Sequence, residues 1–513
     1  MELEVTKIDL AYSVLGGFVV CFSLVSLFLR NKIFMSEAPF ALVFGLLIGP
    51  YGLGIFDPRG WTASGPEGSA GSTNYLTFEL TRLALGFGLF AIGVELPTTY
   101  LRDHARTLTA LVVPVMAWGW FVSAGLICWI FPALSFTSAL VISSCLTPTD
   151  PVLANAIVSG RWAEQNVPKN LRLLLAAESA ANDGLAYPFL YISLKMLTDS
   201  TQPIEIAKFI WDSVVYQVFL GIVLGAFLGW VFRFLLQQAE SRGLMDRSSY
   251  IGQYLSLTLL SLGATALVGG DDLLAAFAAG SAVSWDGHFN EKSHESEFSN
   301  IIEVFFNCAC FVYIGAWLPF DALDRKVDPY LGITPDKMLL LFVAILILRR
   351  IPALVALWWT GWLVPDVKTL GEALFSGHFG PMGVGAVFIS MLALKELPPS
   401  QGRMGNQIDS VSASIQPIVS FVVLGSIFIH GISIPFFSLS SWFHATYIEA
   451  KRNAIHARRS IGSVSPFRRP RVLPEEQRGL LSDESSPGRY SARTDEPFGT
   501  GYRIHANQGE EQA

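Results

Sequence analysis

Long apolar runs recur along most of the chain, separated by short polar stretches. Runs of about 18 residues or more with few charges are typical of helices that cross a bilayer. We predict about thirteen spans, near 11–29, 36–54, 75–97, 107–131, 136–159, 171–197, 211–237, 249–270, 271–285, 300–320, 337–363, 370–396 and 407–437. Only residues 269–272 separate the eighth from the ninth, so a miscount there is an alternative. The pattern predicts an all-α membrane protein with one transmembrane domain over residues 1–437.

Composition agrees with this class, because 51% of the 513 residues are hydrophobic and only 15% are charged. A soluble domain is usually about 25% charged. The net charge of −7 gives no signal for binding nucleic acid. The acidic start of the chain lacks the basic residues of a cleavable signal peptide, so we expect the first span to act as an uncleaved signal. Cysteines and histidines do not cluster as in metal centres, and no cofactor is expected.

Basic residues predict the orientation of the spans, since Lys and Arg are concentrated in cytoplasmic loops. They follow odd-numbered spans over most of the chain, which predicts an N-terminus outside and a cytoplasmic C-terminus. Aromatic and basic residues over 439–460 predict, within a segment at 438–465, an amphipathic helix drawn to anionic lipid. A solvated connector is the alternative. Residues 466–513 are rich in Arg, Pro, Ser, Glu and Gly and are predicted to form a disordered cytoplasmic tail.

The sixth predicted span contains four polar residues near its middle, namely Glu178, Ser179, Asn182 and Asp183. At helical spacing these side chains fall within one arc. A carboxylate at the bilayer centre costs at least ~2.5–3.5 kcal/mol on insertion scales, so it needs a partner, a cavity, a proton or a cation. The cluster indicates an ion site, although helix association through polar contacts is the alternative.

Two other apolar runs contain helix-breaking residues. Residues 147–151 read Thr-Pro-Thr-Asp-Pro, and residues 377–385 read Gly-His-Phe-Gly-Pro-Met-Gly-Val-Gly. Proline removes a backbone donor and pushes the preceding residue out of helix, so both spans are expected to unwind. Interrupted spans in matching positions of two halves indicate an inverted-repeat transporter with a site at the midplane. Ordinary proline kinks are the alternative.

Arg349 and Arg350 lie between two apolar stretches of the eleventh predicted span. Arginine keeps its proton, so a buried arginine needs a fixed anion. Glu178 is the obvious partner, which would leave Asp183 free to bind a proton or a cation. The alternative is that one arginine marks the end of a helix.

These motifs together resemble the cation/proton antiporter superfamily. The motif at 147–151, the sequence Glu-Ser-Ala-Ala-Asn-Asp at 178–183 and the arginine pair resemble its Asn-Asp branch. The sequence at 377–385 and Ser-Glu-Ala-Pro-Phe-Ala at 36–41 are similar to fungal plasma-membrane alkali-metal-cation/proton antiporters. The resemblance covers nearly all of residues 10–437. It implies a homodimer in which spans 4–6 and 11–13 move as the transport core.

The resemblance also implies roles for individual residues. Asp183 would be the carboxylate shared by cation and proton, and Asp150, Thr149 and Ser179 would complete a site for Na⁺ or Li⁺. Asn182 would link this site to the break in span 5.

Further residues follow from the same resemblance. Glu178 would pair with Arg350 rather than Arg349, and Glu95 would line an inner funnel. Many relatives have Gly-Leu-Arg-Gly in span 12, whereas residues 380–383 here read Gly-Pro-Met-Gly. No role of that arginine is therefore transferred.

The expected function is export of Na⁺ and Li⁺, with K⁺ as a further substrate, in exchange for protons at Asp183. Such exchange would give salt tolerance and pH homeostasis. Asp271 and Asp272 are expected either to cap the ninth span or to attract cations to a vestibule. His378 is expected either to change charge in the physiological pH range or to form neutral hydrogen bonds.

Other functions remain as alternatives at this stage. A K⁺-selective exchanger or a channel would offer the same oxygen ligands. An intramembrane aspartyl protease would use Asp150 and Asp183 as a dyad, but neither has the Tyr-Asp or Gly-x-Gly-Asp context of such enzymes. An ion sensor would not need two broken helices. No phosphate-binding loop of the ATPase type occurs, which favours an ion gradient as the energy source.

Overall fold

The computed structural model describes residues 6–60, 70–158, 161–198, 203–289, 298–323, 330–399 and 406–462. Contacts divide the chain into two units, residues 1–444 and 445–513. The described residues form helices and turns, with no strand among them. An all-α fold is therefore confirmed. The amphipathic role of residues 438–465 remains a prediction. The predicted tail at 466–513 lies outside the described residues.

The helices of the first half are α1 (Lys7–Phe28), α2 (Glu37–Ile48), α3 (Ala70–Glu95), α4 (Tyr100–Asp103), α5 (Ala105–Ala110), α6 (Met116–Ile130), α7 (Phe136–Ser144), α8 (Pro151–Val158), α9 (Arg161–Asn166), α10 (Lys169–Gly184), α11 (Ala186–Thr198) and α12 (Pro203–Phe209). The second half contains α13 (Tyr216–Ser241), α14 (Arg247–Leu267), α15 (Asp272–Val283), α16 (Phe298–Trp317), α17 (Pro335–Leu348), α18 (Ile351–Thr360), α19 (Leu370–His378), α20 (Val384–Glu396) and α21 (Gln407–Gly462). Short π-helical turns at Leu29–Ile33, Leu111–Val115 and Ile210–Val215 join neighbouring helices.

Six helical stretches in the described part of the chain are long and apolar enough to cross a bilayer. They are Lys7–Phe28, Thr73–Glu95, Ala105–Ile130, Tyr216–Ser241, Pro335–Thr360 and Gln407–Ser438. Glu37–Ile48, Asp272–Val283 and Val304–Trp317 are shorter apolar helices. The chain thus has the helices of a multi-span membrane protein, and the count of thirteen spans remains a prediction.

The sixth predicted span consists of two helices. Helix α10 ends at Gly184 and α11 begins at Ala186, with Leu185 between them. Pro188 explains the interruption, because proline has no N–H to donate to the carbonyl of Gly184 and its ring crowds that carbonyl. Asp183 therefore lies in the last turn of α10 rather than in the interior of one uninterrupted helix.

The eighth and ninth predicted spans are separate helices. Helix α14 ends at Leu267 and α15 begins at Asp272. Asp271 is the N-cap residue of α15, because its carboxylate accepts the backbone N–H of Leu274 at 2.9 Å. The turn after Leu267 thus separates the two helices at the position where the sequence predicted a boundary.

Helices α13 and α15 pack closely through a row of glycines. Gly221, Gly225 and Gly229 recur at four-residue spacing along α13 and are buried. A Cβ atom on any of them would overlap a backbone carbonyl, of Asp271, Ala275 and Ala279 respectively. Small residues at this spacing let two membrane helices approach backbone to backbone.

We predict that Gly225→Leu lowers the thermal stability of the purified protein, because the side chain would force α13 and α15 apart. Overpacking of a close contact costs ~1–3 kcal/mol or more. Gly263→Leu on α14 is the matched control, since its Cβ would have open space. Equal melting temperatures for the two variants in one detergent would contradict this packing argument.

Candidate functional site

Two helices break and resume beside each other at the centre of the site. Helix α7 ends at Ser144 and α8 begins at Pro151, and α19 ends at His378 and α20 begins at Val384. The backbone N–H of Asp150 in the first break donates to the carbonyl of Pro381 in the second, at 2.7 Å. Direct backbone pairing therefore joins the two breaks.

The Asp150 carboxylate caps two helix N-termini at once. Its Oδ1 accepts the N–H groups of Val152 at 2.8 Å and Leu153 at 3.2 Å, both in α8. Its Oδ2 accepts the N–H of Val384, the first residue of α20. Helix N-termini carry partial positive charge and unpaired donors, so a carboxylate is stabilised there. Both oxygens of Asp150 are thus occupied by protein donors.

Arg349 binds the opposite, carbonyl side of both breaks. Its guanidinium donates to the carbonyl of Leu146 at 2.5 Å and to the carbonyl of Gly380. These carbonyls lie where the helical hydrogen bonds stop, so they would otherwise be unpaired in a buried region. Arg349 itself is only 4% exposed. A fixed positive charge therefore holds the two carbonyl ends together.

Glu178 and Arg350 form a two-pronged ion pair. Arg350 Nη1 donates to Glu178 Oε1 at 2.5 Å, and Nη2 donates to Oε2 at 2.9 Å. Arg350 also donates to the carbonyl of Ser376 at 3.1 Å. Helix α17 does end just before the arginines, at Leu348, as the alternative interpretation held. Both arginines are nevertheless buried, so they neutralise buried groups of the protein and do not reach an interface.

Asn182 connects α10 to the first break. Its Oδ1 accepts the N–H of Thr149 at 3.0 Å, and its Nδ2 donates to Thr149 Oγ1 at 2.7 Å. The hydroxyls of Thr149 and Ser179 lie 3.2 Å apart. Asn182 also reaches Glu178 Oε1 at 3.3 Å. These contacts therefore join three predicted ion-site residues, Asn182, Thr149 and Ser179, to the Glu178–Arg350 pair.

Asp183 differs from every other charged group in this network. It is 1% exposed, and in the described part of the chain neither carboxylate oxygen has a hydrogen-bond partner. It lies against Gly385 on α20, where an added Cβ would overlap Asp183 Oδ1. A buried carboxylate without a donor is unstable as a bare anion. It can be stabilised by a bound proton or a bound cation.

The described residues contain no group of three or more His, Cys, Asp and Glu side chains arranged to hold a metal ion. Asp150 accepts three backbone N–H groups, whereas Asp183 accepts none from the described residues. A cation at Asp183 would be held by this carboxylate together with further oxygen ligands from side chains, carbonyls or water. Such oxygen ligands suit a hard cation, and a single carboxylate charge balances a monovalent one.

The accessory residues lie in three places. His378 Nε2 is 2.9 Å from Ser433 Oγ on α21. Glu95 ends α3 and is partly buried. Asp272 forms an ion pair with Arg82 at 2.5 Å. Together with Asp271 it lines a cavity of about 240 Å³, so the capping role of Asp271 and a cation-attracting role are compatible.

Two residues of α21 that form hydrogen bonds with the second break were not predicted from the sequence. Ser426 Oγ accepts the N–H of Met382 at 2.8 Å, and His430 Nε2 lies 2.9 Å from the carbonyl of His378. Both are buried, and they are spaced i, i+4 within an apolar helix. Buried polar residues at helical spacing in a membrane span were the available signal.

Opposed helix breaks around a buried carboxylate are typical of membrane transporters. The family model described as "Sodium/hydrogen exchanger, transmembrane" matches residues 18–439. The chain therefore belongs to the sodium/hydrogen exchanger family, which confirms the resemblance seen in the motifs. Members of this family are transporters, so the prediction that the chain is a transporter rather than an enzyme is also confirmed.

Fungal relatives extend this result. The Na(+)/H(+) antiporter 2 of Zygosaccharomyces rouxii is 39% identical over 88% of this chain and 55% of its own length. The Na(+)/H(+) antiporter of Saccharomyces cerevisiae is 39% identical over 85% of this chain and 44% of its own length. The chain thus spans about half the length of these relatives. A Na(+)/H(+) antiporter of Schizosaccharomyces pombe is 33% identical and is covered over 94% of its length.

A solved structure shows the same fold. The sodium proton antiporter MjNhaP1 from Methanocaldococcus jannaschii aligns with 84% of this chain and 99% of its own, with a TM-score of 0.62 and 17% identity. At that identity the likeness concerns the fold alone.

We predict that Arg350→Met strongly destabilises the protein, because it leaves the buried Glu178 without its counter-charge. Breaking a buried pair costs ~3–5 kcal/mol, whereas replacing both partners by apolar residues is often nearly neutral. Glu178→Met combined with Arg350→Met should therefore recover most of the lost thermal stability. If the two single effects simply add in the double variant, the pair is not an energetic unit.

Proposed function

We propose that the protein is a secondary antiporter that exports Na⁺ and Li⁺ in exchange for H⁺. The observation that carries the proposal is the pair of unpartnered oxygens on the buried Asp183 carboxylate. Burial disfavours the charged form of a carboxylate unless a positive group joins it. A proton and a cation would therefore compete for this side chain, and each would displace the other.

The neighbouring charges support this competition because they are already compensated. Glu178 is neutralised by Arg350, and Asp150 accepts hydrogen bonds from two helix N-termini. Asp183 is then the group of the network whose charge depends on what binds. Asp150, Thr149 and Ser179 are the proposed additional oxygen ligands.

Movement of this network would provide alternating access. The breaks at 145–150 and 379–383 are proposed to be two crossing, interrupted spans of an inverted repeat with about thirteen spans in all. Asn182 would keep the first break attached to α10, and Arg349 would keep the two breaks attached to each other, as the core moves. Spans 4–6 and 11–13 would form that core, with Glu95 in the inner funnel and Asp271, Asp272 and His378 as accessory groups.

The setting of this activity is part of the same proposal. Similarity to fungal antiporters supports the plasma membrane and a role in salt tolerance and pH homeostasis. We propose a homodimer with the N-terminus outside, the C-terminus in the cytoplasm and residues 439–460 against anionic lipid.

We predict that Asp183→Asn abolishes cation-dependent proton movement in proteoliposomes, because an amide can neither release a proton nor balance a cation. Asp183→Glu should transport poorly, since one methylene displaces the charge. Cation-induced proton release with Li⁺, Na⁺ and K⁺ in turn measures both activity and selectivity.

Glu164→Gln, an exposed carboxylate on α9, is the matched control and should exchange like the wild-type protein. Full exchange by a correctly folded Asp183→Asn protein would refute the proposal. Release by K⁺ alone would favour a K⁺-selective exchanger, and cation flux without proton release would favour a channel.

A further inference from the structure

Near the start of α20, two carboxylates pack directly against the backbone at glycine positions. An added Cβ at Gly383 would overlap Asp150 Oδ2, and one at Gly385 would overlap Asp183 Oδ1. Gly385 is not among the glycines with a positive φ, so a left-handed backbone is not the reason for glycine at this position. The absence of a side chain at Gly385 instead makes space for the Asp183 carboxylate.

The two carboxylates use that space differently. Asp150 approaches Gly383 in order to accept the N–H of Val384, so its space is needed for a hydrogen bond within the protein. Asp183 approaches Gly385 and accepts no hydrogen bond there. A side-chain methyl at residue 385 would also fall within 3.0 Å of Asp183 Cγ and Oδ2.

We propose that Gly385 is a specificity-determining residue of the transport site, because its missing side chain leaves the space in which the Asp183 carboxylate lies. A Cβ there would push the carboxylate away from α20 and reduce the room for a cation on its other side. This inference rests on the proposed function. Selectivity among hard cations depends on the size of the cavity and the number of ligands. A proton needs only one carboxylate oxygen, whereas an alkali-metal ion needs a shell of oxygens around it. Filling the space should thus weaken cation binding more than proton binding, and most of all for the largest ion.

Gly385→Ala is the direct test, with Gly371→Ala as matched control. Gly371 lies in α19, where an added Cβ would meet only Thr369 Oγ1 at 3.8 Å. We expect Gly385→Ala to raise the half-saturating Na⁺ concentration for proton release at least about tenfold, equivalent to ~1.4 kcal/mol. The increase should be larger for K⁺ and smaller for Li⁺. Gly371→Ala should leave all three values unchanged.

Binding can also be measured without transport. Ligands that bind only the folded protein raise its melting temperature by mass action. The Na⁺-dependent rise seen with the wild-type protein should shrink in Gly385→Ala, whereas the melting temperature without cation should change little.

Three results would distinguish failure of the Gly385 proposal from failure of the antiport proposal. Wild-type half-saturation for every cation in Gly385→Ala overturns the assignment of Gly385 and leaves the antiport proposal standing. A wild-type protein without cation-dependent proton release overturns the antiport proposal instead. Gly385→Ser places the same Cβ in the site, and loss of folding in both Gly385 variants would make the glycine a packing residue and overturn its role in specificity.

Discussion

The structure depends on keeping one carboxylate buried without a permanent partner. Ionised groups inside a membrane protein are costly, and evolution usually pairs them with groups of the same protein. Here the pairing is selective. Arg350 neutralises Glu178. The Asp150 carboxylate accepts hydrogen bonds from two helix N-termini, and Arg349 donates hydrogen bonds to backbone carbonyls. Asp183 is the buried acid of this network that has no hydrogen-bond partner among the described residues.

That arrangement requires helices to break inside the protein. An uninterrupted helix satisfies its own N–H and C=O groups and has none to offer to a side chain. The breaks at 145–150 and 379–383 release amides for Asp150 and carbonyls for Arg349. Ser426 and His430 then bind the second break from α21. A buried break of this kind is tolerated where its backbone groups find such partners.

Chains with few identical residues share this fold. The archaeal antiporter structure shares the fold at 17% identity, whereas the fungal relatives are near 40% identical over most of this chain. A common fold at such divergence leaves most apolar positions free to vary. A shared fold does not set a substrate preference, so we place the proposed selectivity of this chain at a position beside the carboxylate, Gly385.

The sequence by itself determined the class of protein and the polar residues of the site, because apolar runs of membrane length make any acid, arginine or proline within them conspicuous. It also identified Glu178 as the partner of an arginine, and the family resemblance favoured Arg350. That Arg349 binds carbonyls of both breaks was seen only in the structure. The sequence also predicted that Asp183 would be left without a partner. Only the tertiary structure decided which amides Asp150 binds, those of Val152, Leu153 and Val384, because these come together only after α8 and α20 have packed beside each other.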